Sequence, residues 1–556
     1  MTETLTIYCK NSNNKIEIPY GTTLAELLFI CNIENKEEPM LGALVNNKVR
    51  PLSYRIHKPA KIDFFNYYSK YGRNMYMRSL FFLLSHAVNN TFDNKVKLLI
   101  KHSISGGRFC TLENYDKPIT ENIVNKLLNN MRETVSKNLP IENIVLLTSE
   151  AIEEFRKHNL EDKLELFKAS DRIFTTIQKL GNSVNFYYGY LVPSTRYLMT
   201  FGLEMYENGL ILKMPSKKNI RTMPKTRLLP KLFSVYKYDK DWAEKLGIPY
   251  SYNLNQINDE KQLQNEILVA EAYQEKRIAA AAEMIHNDKN IKIVLISGPS
   301  SSGKTTSCRR LSVQLAVLGY IPVQISVDDF FVERDDTPLD ENGEKDFESL
   351  HAIDLPLFND TLNRLISGEE VEIPTFDFTK GNKVWTGKKL KLREKSILVI
   401  EGIHCLNPEL TAQIPEELKF KIFVSALTSI SIDKENPVPT ADNRLLRRIV
   451  RDYNYRGYSA IETIKRWSSV RRGEERNIFP YQENADFMIN TSLIFEIGVL
   501  KPYAIRILLE VPESSEEYAE AIRLTVLLSF FKAIPESVLP GNSILREFVG
   551  GSKFTY

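Results

Sequence analysis

Apolar and polar positions alternate in TLTIYCK and again in KIEIPYG, which predicts two strands at the start of the chain. A helix-spaced GTTLAELLFI follows. Alternation then returns in GALVNNKVRPL and AKIDFFNY with an Asn-Asn turn between, so a compact ββαββ unit is predicted over 1–68. From Arg73 the period lengthens to that of a helix in MYMRSLFFLLSHAV, and a second helix is predicted over ITENIVNKLLNNMRETVSKN. These stretches and the mixed elements around them predict an α+β unit over 69–215. Turn-formers in KKNIRTMPKTRLLPK and a long helical stretch, KQLQNEILVAEAYQEKRIAAAAEMIH, mark a connector over 216–288. Beyond it the apolar runs IKIVLIS, PVQISVDD, SILVIEG and FKIFVS alternate with helical segments. That pattern belongs to a parallel sheet covered on both faces, and it predicts an α/β domain over 289–556.

Length agrees with this division, because 556 residues exceed what one hydrophobic core organises. A formal net charge of +3 is small for that size and gives no reason to expect nucleic acid or an anionic membrane as an obligate partner. The five cysteines are odd in number and far apart, which fits a reducing compartment better than a disulfide framework or a zinc knuckle. The start MTETLTIYCKN lacks a basic region followed by an apolar stretch, and no apolar run approaches the roughly 20 residues that cross a bilayer. A soluble, cytoplasmic protein is expected.

The strongest chemical signal is GPSSSGKTT, made of Gly298, Pro299, Ser300, Ser301, Ser302, Gly303, Lys304, Thr305 and Thr306. It follows a buried strand and opens a helix, the context that a G-x-x-x-x-G-K-[ST] match requires. Its glycines let backbone N–H groups curl around phosphates, the helix N-terminus adds partial positive charge, Lys304 reaches the outer phosphates and Thr305 offers a magnesium ligand. ATP and Mg2+ are therefore the expected cofactors.

Three further features separate a kinase from other users of such a loop. The strand PVQISVDDFF ends in Asp328 and Asp329, where open α/β sheets place their ligands and where a carboxylate could take a proton from an attacking hydroxyl. The strand SILVIEG ends in Glu401, a candidate second magnesium ligand. In ADNRLLRRIVRDYNYRG, Arg444, Arg447, Arg448 and Arg451 share one helical face that could close over phosphates, although such runs are often solvated surface.

In order and spacing, GPSSSGKTT, SVDDFF, EIPTFDF, VIEGIH and RRIVRDYNYRG resemble the uridine kinase family, which is related to phosphoribulokinase. The resemblance runs from about Ile291 to the C-terminus. It implies that Asp328 is the base for a nucleoside 5′-hydroxyl, that Glu401 is the metal-site acid and Arg451 the lid arginine, and that Phe376, Phe378 and Arg456 contact the acceptor. The acceptor region departs from the family at His351, Gly381, Tyr455 and Tyr458.

The front half resembles the N-terminal region of threonyl-tRNA synthetase, a β-grasp TGS domain followed by an editing domain. RSLFFLLSHAV and NFYYGYLVPST carry that likeness, but Arg78, Phe82, Tyr187 and Leu191 stand where the resemblance puts metal-binding His and Cys. These side chains cannot supply zinc with the lone pairs it needs, and the seven histidines show no paired spacing, so neither zinc nor editing is expected. The fusion resembles a bacterial nucleoside kinase group. Two other readings stay open: a kinase of a different small alcohol, and a tRNA- or ribosome-associated nucleotide switch, to which SKKNIRTMPKTRLLPK lends its basic charge. Oligomeric state is not legible.

Overall fold

The computed structural model describes residues 3–555 apart from 34, 36, 340–342, 344, 378 and 379. At the front, Thr4–Cys9 pairs antiparallel with Asn14–Pro19, and the helix Leu24–Ile30 starts on a reciprocal capping box between Thr23 and Glu26. Asn46 and Asn47, at φ 47° and 58°, turn the chain inside GALVNNKVRPL and split it into two strands, Gly42–Val45 and Lys48–Pro51. With Lys61–Phe65 lying parallel beside Thr4–Cys9, the order is ββαβββ, one strand more than the pattern predicted.

The next unit is built on the helix Lys70–Thr91, which is buried along most of its length. Around it stand a four-stranded antiparallel sheet ending in Gly209–Lys213 and a three-stranded sheet of Ile141–Leu147, Phe174–Leu180 and Ser183–Asn185. The connector is helical: Pro230–Lys245, Ser251–Asn255 and the long Glu260–Asn287 lead into the C-terminal domain.

That domain holds a wholly parallel sheet of β1 (Ile293–Ser297), β2 (Ile321–Ser326), β3 (Ser396–Glu401), β4 (Lys419–Ser425) and β5 (Phe487–Asn490), in the order β2-β3-β1-β4-β5. Every residue of β1 is buried, as expected for a strand covered by helices on both faces. On one face Arg310 of the helix Lys304–Val317 donates to Glu275 of the long connector helix at 2.9 and 2.6 Å.

Front and back halves are locked together by the segment between β4 and the helix Thr440–Arg456. Its Asp433, Glu435 and Asn436 are all buried in the front unit. The ammonium of Lys163 lies 3.0 Å from Asp162 and 2.5 Å from Asp433. Glu435 accepts hydrogen bonds from Tyr187 Oη at 2.5 Å, Asn185 Nδ2 at 2.9 Å and Ser85 Oγ at 3.0 Å. One hydrophobic cluster, with members as far apart as Phe155, Ile267, Leu445 and Phe530, runs through both halves and the connector. Removing one partner from a buried ion cluster leaves uncompensated charge, a loss of about 3–5 kcal/mol. Lys163→Met is therefore expected to lower the thermal unfolding midpoint of the full chain by several degrees and to loosen the front unit from the back. Unfolding followed by circular dichroism, with limited proteolysis across 426–439, checks this.

Candidate active site

The phosphate loop leaves the carboxyl end of β1 and is shaped by close approaches. A Cβ on Gly298 would lie 2.0 Å from the Val424 carbonyl of β4, and Gly303, at φ +81°, passes so close to Ile544 that a Cβ would lie 2.4 Å from it. Ser301 also takes a positive φ, of 56°. Buried partners hold the loop carbonyls outward: Arg444 Nε donates to Ser300 O at 2.9 Å, and Thr491 Oγ1 to Ser302 O at 2.6 Å. The hydroxyls of Ser301 and Ser302 are buried without a partner among the described residues. A loop whose carbonyls are satisfied by side chains and which opens the N-terminus of the helix Lys304–Val317 fits a polyphosphate.

Beside the loop, Thr305 Oγ1 donates to Glu401 Oε1 at 3.3 Å, which joins two residues that the sequence assigned to magnesium. Burial pushes the Glu401 carboxyl up to about 7; the nearby acids Asp328 and Glu547 add to this and Lys304 opposes it. A buried acid that repels its neighbours and touches a threonine hydroxyl is a donor set suited to a hard divalent cation.

Asp328 and Asp329 share the short turn Val327–Phe330 at the end of β2, yet they face different surroundings. Asp328 is exposed at the mouth of the cleft, yet the protein packed around it raises its carboxyl by desolvation, with Lys304 and Arg456 as the cations opposing the shift. Asp329, also raised by burial, accepts from the Phe376 backbone N–H at 3.4 Å. Phe376 itself is buried and packs against Phe331 with ring centroids 5.5 Å apart. Phe378 lies outside the described residues.

The four arginines of the predicted face separate. Arg444 and Arg447 are fully buried and ion-paired, Arg444 with Glu474 and Arg447 bidentate with Glu496 at 2.7 Å for both bonds. Arg448 reaches the loop, donating to Ser300 Oγ at 2.7 Å. Arg451 turns to Asp452 at 2.8 Å, and Arg456 approaches the same carboxylate at 3.7 Å while lying in the field of Asp328.

Three acids at the site escaped sequence reasoning. The Glu474 carboxylate accepts from the Ser300 backbone N–H at 3.2 Å, and Glu547 accepts from Thr306 Oγ1 at 2.6 Å. Glu348 is pushed up to about 7 by burial and by Glu474, with Asp328 adding and with Arg448 and Lys304 opposing, which places it beside the loop lysine. It sits three residues before His351, the position singled out from the sequence, which is exposed. Gly381 meets Arg334, Tyr455 is exposed, and the Tyr458 ring lies under Arg466 at 4.4 Å. In the front unit Phe82 and Tyr187 pack ring against ring at 5.6 Å with Leu191 buried, and among the described residues no group of three or more His, Cys, Asp or Glu is arranged to hold a metal ion.

The C-terminal part of the chain is similar in sequence to known proteins. Residues 293–494 match the Phosphoribulokinase / Uridine kinase family. A uridine kinase of Staphylococcus haemolyticus (strain JCSC1435) is 27% identical over 36% of this chain and 87% of its own, and one of Macrococcus caseolyticus (strain JCSC5402) is 28% identical over 35% and 86%. A solved structure described as a possible uridine kinase from Bacillus stearothermophilus aligns at 17% identity over 39% of this chain and 98% of its own, with a TM-score of 0.27. The C-terminal part of the chain, at residues 293–494, is a phosphoribulokinase/uridine kinase family domain.

Proposed function

We propose that this protein transfers the γ-phosphoryl group of ATP to the 5′-hydroxyl of a nucleoside of the uridine or cytidine kind. The observation that carries the reading is the grouping of Lys304, Thr305, Glu401 and Asp328 at the carboxyl ends of β1, β2 and β3. Lys304 and the loop N–H groups bind the phosphates, and Arg448, on Ser300 Oγ, and Arg456, in the field of Asp328, are the cations that would stabilise charge on the transferred group. Asp328 orients the acceptor hydroxyl and takes its proton; its raised carboxyl is a better acceptor at neutral pH than an ordinary aspartate. Thr305 and Glu401 would hold magnesium, whose charge offsets that of the phosphates.

A second reading keeps this chemistry and changes the acceptor to another small alcohol. It is favoured by the exposure of His351 and by Gly381, where Arg334 fills the space that a side chain would need. A panel of nucleosides and small alcohols assayed with ATP and magnesium separates the two. No phosphorylation of any nucleoside by protein that still binds ATP would overturn the first.

Asp328→Asn is expected to lower kcat by about 100- to 10,000-fold, the range for loss of a positioned base, with ATP binding intact. Unchanged turnover would remove Asp328 from that role. Magnesium dependence supplies a second check. A carboxyl raised to about 7 is ionised above that pH and protonated below it, and only the ionised form binds a cation. The apparent affinity for magnesium is thus expected to fall about tenfold per unit as the pH drops below 7 and to level off above it. In Glu401→Gln this pH limb should vanish along with the tight magnesium requirement; steady-state titrations of magnesium across pH measure both.

A further inference from the structure

Between the front unit and the C-terminal domain lies a cavity of about 610 Å3, within the range that holds a small-molecule ligand. Its walls come from the helix Lys70–Thr91, the turn at 103–108, the connector and the start of the helix Thr440–Arg456. None of Gly298–Thr306, Asp328 or Glu401 lines it, so it is separate from the phosphate loop. Seven arginine and lysine side chains face it against two carboxylates, Asp442 and Glu475.

Most of those cations already have acidic partners. Arg523 is held by Asp442 at 2.6 Å and Glu520 at 2.8 Å, Arg444 and Arg471 by Glu474, and Lys217 by Glu475. Arg78 and Arg108, like the exposed Arg227, make no ion pair with a carboxylate among the described residues. Arg78 gives two N–H bonds to the Tyr190 carbonyl, at 3.3 and 3.1 Å, and Arg108 sets one against Met77 Sδ at 3.3 Å. A guanidinium has five donors, so most of both remain for the cavity.

The backbone is shaped around this pair. Gly189, at φ +131°, lets the Arg78 guanidinium lie against it, where a Cβ would stand 2.8 Å from Cζ. Asp442, Arg523, Arg78 and Arg108 all act on the Tyr188 phenol, so three guanidinium groups and one carboxylate converge near one ring. Burial pulls Arg78 down to about 10 and lowers Arg108 as well, yet a guanidinium so shifted stays charged at neutral pH. Both are half-buried, and the one carboxylate whose field reaches them, Asp442, is already held by Arg523, so a further anion in the cavity would meet charge that no ion pair satisfies. Among the aliphatic and polar residues of the remaining wall stand the aromatic Phe81, Phe423 and Tyr236, whose ring is fixed by stacking on His102 at 4.1 Å.

We propose that this cavity binds a free nucleotide at a site of its own, with its phosphate on Arg78 and Arg108 and its base against Tyr188 and Tyr236. Calorimetry of the full chain carrying Lys304→Ala, titrated with UMP, AMP and inorganic pyrophosphate, tests it. The expected result is one nucleotide bound per chain, more tightly than pyrophosphate. Affinity should fall about ten- to a hundredfold when Arg78→Met or Arg108→Met is added, the loss of a hydrogen-bonded charge pair. Failure of every nucleotide to bind, binding indifferent to both arginine changes, equal affinity for pyrophosphate, or binding of bulk tRNA but no mononucleotide would each overturn the proposal. Should the arginine variants not fold, photolabelling of the unsubstituted chain with 8-azido-AMP decides. Label on peptides holding Tyr188 or Tyr236 supports the site, and label confined to phosphate-loop peptides refutes it.

Discussion

Two buried ion pairs set the shape of the phosphate loop. Arg444 with Glu474 and Arg447 with Glu496 are almost wholly shielded from water, and each arginine also holds a carbonyl of the loop, Ser300 O at 2.9 Å and Ser301 O at 3.5 Å. A buried guanidinium is tolerated only when its charge and its donors are met, so neither can swing outward without stranding a carboxylate. The loop carbonyls are thereby fixed, as is the Ser300 N–H, which Glu474 accepts at 3.2 Å, while the Ser301 and Ser302 hydroxyls are buried without a partner among the described residues. Thr491, just past β5, adds a third clamp through Ser302 O. The donors are therefore oriented before any phosphate arrives, which is the condition under which backbone dipoles stabilise charge most effectively.

The same helix links that clamp to the front half of the molecule. Thr440–Arg456 carries both arginines, and the segment leading into it is the one buried against Lys163, Tyr187 and Asn185. Asp442 in its first turn pairs with Arg523 of the helix Tyr518–Leu528, whose residues share the cluster that spans both halves. Displacing the front unit would unpair Asp433 and Glu435 and pull on the first turn of the helix that shapes the loop. Fold and site are mechanically continuous here, although the matched family domain ends at residue 494 and the cluster draws heavily on residues beyond it.

How much of this the sequence revealed follows from how local each feature is. The phosphate loop, Asp328 and Glu401 were legible because each sits at the end of an apolar strand, and a parallel sheet brings such ends to one edge without further information. Glu474 was not, because SVRRGEERN on a helix has the composition of a solvated surface; its partners Ser300 and Arg444 lie 174 and 30 residues away. The buried arginines were legible as a helical face but not as core, since burial depended on Glu474 and Glu496 elsewhere in the chain. The segment 426–439 resembles a surface loop for the same reason: its charges are buried only through partners some 250 to 350 residues distant. The extra front strand was hidden by its shortness, four residues on either side of an Asn-Asn turn.

The acids around Lys304 give the site a further property. Glu348 and Glu401 are both raised to about 7, and Asp328 is raised beside them. Three full negative charges in that space would repel a triphosphate strongly, because the surrounding protein screens charge poorly. Partial protonation near neutral pH lowers that repulsion, while Lys304, Arg448 and Arg456 contribute the opposite field. Glu401 and Thr305 would hold a divalent cation, whose charge would complete the balance. The raised carboxyls and the clustered cations are thus two sides of one arrangement, in which charge on the protein can adjust to the charge of what it binds.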